Sequence, residues 1–262
     1  MQNRYVGDVG DFGKYGLLRA LCQSQDGHPP LKLGVIWYLV PDESHNNDGK
    51  HISYLQPTPT NLERFRACDP ELYDALQRIV SAGTRSVAEI ERSGILGPHT
   101  TSYNRSLTYG GLRTRGEKLA FRQQWMAEAL EAVKESNVIF IDPDNGLECS
   151  IQKQHRNAVK YTYYDEVDKL IQAGKSVLIY HHLSRQGKAE TQIHNYLSEF
   201  PSHLGKKYSV LALRFHRGSA RVFFLLAQNP HFHQIKAAIA TMLDGKWKCH
   251  FSTGSNVSST AS

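Results

Sequence analysis

Three stretches of this 262-residue chain end an apolar run in side chains that can bind charge or exchange protons. They are PDESHNNDGKH (41–51) after LKLGVIWYLV, DPDNGLE (142–148) after NVIFI, and YHHLSRQ (180–186) after KSVLI. A fourth stretch, GDVGDFGK (7–14), precedes the first helical pattern. In the second, Asp142 and Pro143 set a carboxylate beside a backbone carbonyl, both hydrogen-bond acceptors. Asp144 and Asn145 add further polar atoms, although DPDNG is also ordinary turn chemistry. In the fourth, Lys14 stands among Asp8 and Asp11 at the start of a helix. Free backbone N–H groups and the helix dipole favour an anion there. Ligands of open α/β sheets gather beyond the carboxyl ends of the strands, so the four stretches are expected to line one pocket.

Other residues offer different chemistry. Asp142, Asp144 and Glu148 carry hard oxygens after a single strand, a set suited to Mg²⁺ or Mn²⁺ and to phosphodiester hydrolysis. His181 and His182 are adjacent on a strand and point to opposite faces, so at most one reaches the pocket, with Arg185 close behind. The stretch YNRSLTYGGLRTRGEK (103–118) interleaves Tyr109 with Arg113 and Arg115, which suits phosphate contact and base stacking. The excess of 31 Lys+Arg over 25 Asp+Glu, a net +6, favours an anionic partner such as nucleic acid.

Four cysteines with no CxxC pair argue against a zinc ribbon and fit reduced thiols in a cytoplasm. The apolar runs are too short to span a bilayer and no signal peptide is evident, so a cytoplasmic protein without a membrane partner is expected.

The elements that must position these groups alternate. A short helix is expected at 16–24, a strand at 31–40, and two or three amphipathic helices within 60–95. An irregular basic stretch follows at 101–116. Then come a helix at 117–135, a strand at 137–142, a helix at 161–174, a strand at 175–184 and a helix at 187–200. Two strands fill 208–228, joined at HRGSA, before a helix at 230–243. This order implies an α/β fold with a mainly parallel sheet and an antiparallel C-terminal hairpin at one edge. It divides into one domain over 1–251, with a helical insertion at about 56–100, and a flexible tail over 252–262.

GDVGDFGKY (Gly7–Tyr15) resembles, without a gap, the N-terminal signature GNHADVLKH of the large-subunit ribosomal RNA adenine-N6 methyltransferases. The order that follows is similar too: VIWYLVP leading to NNDGKH, a helix into FIDPDNGLE, then IYHHLSR. The resemblance implies a Rossmann-like methyltransferase fold, S-adenosylmethionine as cofactor and an amine in nucleic acid as target. It places Lys14 and Tyr15 at the cofactor, with Gly7, Asp8 and Asp11 in the same segment and Asn47, Asp48, Gly49 and Lys50 in the cofactor loop. Asp142 would hold the target amine and Pro143 would present its carbonyl. Asp144 and Asn145 replace a second proline and a stacking aromatic, and NNDGK replaces a small-residue AGxG loop. Two alternatives stand beside it: a metal-dependent nuclease or phosphodiesterase using Asp142, Asp144 and Glu148, and a non-catalytic nucleic-acid-binding subunit.

Overall fold

The computed structural model describes residues 1–23, 28–45 and 48–254. Its first long element, α1 (Val9–Leu21), begins well before the apolar spacing predicts. Asp8 caps it by accepting a hydrogen bond from the Gly10 amide at 3.0 Å. Gly10, Gly13 and Gly16 fall on one side of this helix and let it lie against neighbouring side chains. A Cβ on Gly13 would sit 2.3 Å from the Phe215 ring, and one on Gly16 would sit 2.2 Å from the Trp247 indole. These glycines weaken the helix intrinsically but allow the close contact. Gly13→Ala is therefore expected to destabilise the protein by about 1–3 kcal/mol through overpacking. Urea unfolding measures it, and an unchanged midpoint would refute the contact.

The strands of the main sheet are β1 (Leu33–Ile36), β2 (Thr101–Tyr103), β3 (Val138–Ile141), β4 (Ser176–His182), β5 (Ser209–Phe215), β6 (Arg221–Ala227) and β7 (Phe251–Thr253). They stand in the order β2-β1-β3-β4-β6-β5-β7. The first four neighbours are parallel, while β6 runs antiparallel to both β4 and β5. A reversed strand seated between two parallel ones completes a Rossmann-like α/β sheet.

Three details differ from expectation. β2 arises in the stretch expected to be irregular, because three residues suffice to pair with β1. The hairpin of β5 and β6 is not the edge. β7 pairs outside β5, so residues 252 and 253, expected in a tail, belong to the sheet. β1 is also shorter than 31–40, since Tyr38 adopts φ 45° and turns the chain out of the ladder.

Helices cover both faces, which is why the central strands read as continuous apolar runs. α1 lies on one face with α2 (Pro70–Ser81), α3 (Val87–Ser93) and α7 (Asn229–Asp244). Val35, Phe140, Leu178 and Tyr180 point towards them. α4 (Arg115–Ala132), α5 (Tyr164–Gln172) and α6 (Ala189–Leu204) lie on the other, over Ile36, Ile139, Ile141 and Ile179. Among the described residues, no helix is long and apolar enough to cross a membrane.

Candidate functional site

A cleft of about 690 Å³ opens beyond the carboxyl ends of β1, β3 and β4, beside the start of β6. It collects Asp8, Gly10, Asp11 and Lys14 from α1, the loop Asp48–His51, Asp142–Asn145 after β3, His182–Arg185 after β4, and Gly218–Arg221. All four stretches singled out by sequence thus meet at one place.

Its centre is a buried charge network. Lys14 Nζ donates to Asp11 Oδ1 at 2.8 Å and to Asp142 Oδ2 at 2.7 Å. The ammonium also lies 4.9 Å from the centroid of the Tyr180 ring. Burial works to neutralise Lys14, but Asp11 and Asp142 outweigh it and hold the ammonium above its ordinary range. Burial pushes the Asp11 carboxyl up, with Lys14 offsetting part of the rise. Asp11 Oδ2 accepts from the Tyr15 hydroxyl at 3.1 Å, so Tyr15 lies behind the network, fully buried, and does not reach the cleft.

The carbonyl of Asp142 accepts from the Met1 amine at 3.0 Å. Asp142 Oδ1 and the Pro143 carbonyl make no hydrogen bond among the described residues. Those are the two acceptors that the Asp-Pro pair was expected to offer. Asp144 is turned differently. Its Oδ2 accepts from Gln2 Nε2 at 3.1 Å, with Lys160 Nζ at 3.4 Å. Burial would raise the Asp144 carboxyl, but the Met1 amine and Lys160 prevail and hold it below the usual range.

The loop that enters from β1 is pinned rather than loose. Asp8 Oδ2 accepts from the His51 amide at 3.0 Å, and Arg85 of the helical segment between β1 and β2 donates to the Gly49 and Val6 carbonyls. Asp48, Gly49 and Lys50 therefore border the cleft as expected, while Asn47 lies outside the described residues.

Several expectations are corrected. The first-turn amides of α1 are not free for a ligand: Val9 donates to the His51 carbonyl, Gly10 to Asp8 Oδ1, and Asp11 and Phe12 to the Asp8 carbonyl. Gly7 faces Val80 instead of the cleft, and its carbonyl accepts from the Tyr54 hydroxyl. Tyr109 is buried on the opposite face of the sheet, its hydroxyl donating to the Lys153 carbonyl at 2.6 Å. Arg113 and Arg115 are exposed near the start of α4, away from the cleft lining.

The two histidines separate as strand alternation demands. His182 lines the cleft, and burial followed by the Arg221 charge pushes its pKa down to about 3. His181 points to the other face, where Nδ1 accepts from the Leu147 amide at 3.1 Å and burial lowers its pKa to about 4.

The carboxylates Asp142, Asp144 and Glu148 do not converge on a metal. Glu148 Oε1 accepts from the Tyr164 amide at 2.7 Å and so caps the start of α5. The other two already face ammonium groups. A different trio, Cys68, Cys249 and His250, has ligand atoms within 4.8 Å of one another although its members are distant in sequence. Both ring nitrogens of His250 are engaged: Nδ1 accepts from Arg217 Nε at 3.0 Å and Nε2 meets the Arg64 carbonyl at 2.8 Å. No lone pair of that ring is left for a metal.

Lys160 borders the cleft without having been singled out by sequence. Tyr180 precedes His182 by two positions on the same strand and so shares its face.

No protein-family model matches the sequence, and no curated protein matches it. Among solved structures, the chain is similar to human methyltransferase-like protein 13 in complex with SAH, with 11% identity over 90% of each chain and a TM-score of 0.28. A likeness that low carries no argument about the site, which stands on its own geometry.

Proposed function

We propose that the cleft binds S-adenosylmethionine and directs methyl transfer to an amine of a nucleic acid. The observation that carries this reading is the open pair of acceptors at the end of β3, Asp142 Oδ1 and the Pro143 carbonyl, inside a strand-end cleft. A volume of about 690 Å³ suits a nucleoside-sized ligand, for which sites of roughly 300–1,000 Å³ are usual. Bound there, S-adenosylmethionine supplies the methyl group as an electrophile. The rim residues Asp8, Asp48, Gly49 and Lys50 are the ones placed to hold it. Lys14 serves from behind: its ammonium neutralises Asp142 Oδ2 and leaves Oδ1 to accept one N–H of the target amine. The Pro143 carbonyl accepts the other, which aims the nitrogen lone pair along the transfer direction and removes its orientational freedom.

Calorimetric titration of the purified protein with S-adenosylmethionine tests the first half. Incorporation of labelled methyl groups into RNA and DNA tests the second. Asp142→Asn keeps the shape of the side chain but offers an amide where the amine needs an acceptor. Its transfer rate is expected to fall by about a hundredfold, as misplacement of a reacting group does, with cofactor affinity retained. Folded protein that binds no S-adenosylmethionine would end this reading.

A further inference from the structure

Three cationic side chains of the described residues are nearly fully buried: Lys14, Arg122 and Arg221. Lys14 bridges Asp11 and Asp142, and Arg122 grips Glu166 through Nε and Nη2 at 2.6 and 3.0 Å. Arg221 is only 5% exposed and makes no ion pair among the described residues. Its Nη2 donates to Ser219 Oγ at 2.6 Å, while its buried Nε and its Nη1 have no hydrogen-bond partner among the described residues. A buried charge without a counter-charge is costly, so proteins rarely keep one unless a ligand completes it.

The surroundings offset only part of this deficit. Arg221 lines the cleft and lies over the Tyr180 and Phe215 rings, 5.8 and 5.9 Å from their centroids, cation–π contacts that attract the charge without neutralising it. Nη1 presses on the first turn of α1, where a Cβ on Gly10 would fall 1.4 Å from it. That turn is the positive end of the helix dipole, so on this side the guanidinium faces like charge. Asp8 at the start of α1 makes no ion pair with it among the described residues; its two oxygens accept from the Gly10 and His51 amides. His182, with Nδ1 3.3 Å from Ser219 Oγ, is held neutral beside it.

We infer that this end of the cleft, formed by Arg221 with Ser219 and bordered by Arg185, is a binding subsite for a phosphate group of the substrate. The proposal deepens the methyl-transfer reading and rests on it for the identity of the phosphate's owner. A guanidinium fork matches the oxygens of phosphate. The Ser219 hydroxyl lies beside the fork and Arg185 lines the same cleft, and donors outside the guanidinium plane suit a tetrahedral anion better than a planar carboxylate. Lys14 and Arg221 both lie within 6 Å of the Tyr180 ring centroid. One substrate can therefore place an amine at Asp142 and a neighbouring phosphate at Arg221.

The probe is inorganic phosphate, with acetate and chloride at matched ionic strength as controls. Phosphate is expected to raise the thermal midpoint of the wild type by a few degrees, as a ligand of the native state does, and acetate to leave it unchanged. Arg221→Met should abolish the phosphate shift while its own midpoint without phosphate stays level or rises, since an unpaired buried charge has been removed. Arg221→Lys keeps the charge without the fork and should weaken phosphate binding at least about tenfold. It serves if the methionine variant fails to fold. No shift in the wild type, a shift that survives in Arg221→Met, or an acetate shift equal to that of phosphate would overturn the subsite. Calorimetry of the wild type with S-adenosylmethionine, run beside these, reports the cofactor reading separately.

Discussion

Replacing Lys14 with methionine is expected to destabilise the protein by about 3–5 kcal/mol at pH 7, the usual cost of stripping one partner from a buried ionic group. The size follows from what remains. Asp11 and Asp142, 3% and 1% exposed, would face each other across the vacated ammonium position with no cation between them. Two buried carboxylates in that position cannot both stay ionised. At least one would take up a proton in the folded state at a pH where the unfolded chain holds none. Its folded pKa would thus stand above its unfolded value. Such a group favours the folded state below the unfolded pKa, and that advantage is lost as pH rises through the folded pKa. The deficit of Lys14→Met should consequently shrink as pH falls from 7 towards 4. Adding Asp11→Asn and Asp142→Asn should recover most of the loss at pH 7, because the network as a whole is replaceable where a single member is not. Urea midpoints across this pH range measure all three effects. A Lys14→Met protein as stable as the wild type at pH 7 would show that the lysine does not neutralise the site.

Much of this site could be read before any coordinates, and for a specific reason. Asp142, Pro143, Asp144 and His182 follow buried strands, and the sheet brings the carboxyl ends of its parallel strands to one side. The apolar runs therefore located the cleft even though their lengths were misjudged. α1 was harder. Its glycines hide a helix because helix propensity counts their intrinsic cost, whereas Phe215, Trp247 and Arg221 supply the reason for having no side chain there. That reason lies some two hundred positions away in sequence. Tyr109, Arg113 and Arg115 misled in the opposite way. A basic, aromatic stretch looks the same whether it lines a cleft or covers the far face of the sheet, and only the placement of α4 decides between them. The significance of Arg221 could not be read from sequence, since it lies in the lack of a carboxylate partner, and local sequence does not state a missing contact. The nearness of Cys68 to Cys249 is a similar case, because no spacing rule joins residues on an insertion to those beside the last strand.

Acidification between pH 6.5 and pH 4 should weaken the fold, and His181 is the residue expected to contribute most clearly. Its ring is 5% exposed, accepts a hydrogen bond from the Leu147 amide, and lies against the Gly146 backbone and the Tyr196 and Phe224 rings. Burial therefore lowers its pKa from 6.5 to about 4. The unfolded chain binds this proton near pH 6.5 and the folded chain resists it until about pH 4. Protons therefore favour unfolding throughout that interval, and the contribution is complete above 6.5 and lost as pH falls towards 4. Each unit of separation is worth about 1.4 kcal/mol, so His181 alone can account for roughly 3 kcal/mol. His182, lowered to about 3, and His250, lowered to about 4, both chiefly by burial, act in the same direction. Asp144 does as well, but only below its ordinary value of 3.8 because its carboxyl is depressed, and Asp11, whose carboxyl is raised, opposes them. A single variant separates these contributions. His181→Asn retains an acceptor for the Leu147 amide but has nothing to titrate, so its stability should decline less steeply than that of the wild type over this interval. Parallel slopes for the two proteins between pH 6.5 and 4 would mean that His181 is protonated in the folded state as readily as in the unfolded one. The ring would then have to be far more accessible than its packing against Gly146 allows.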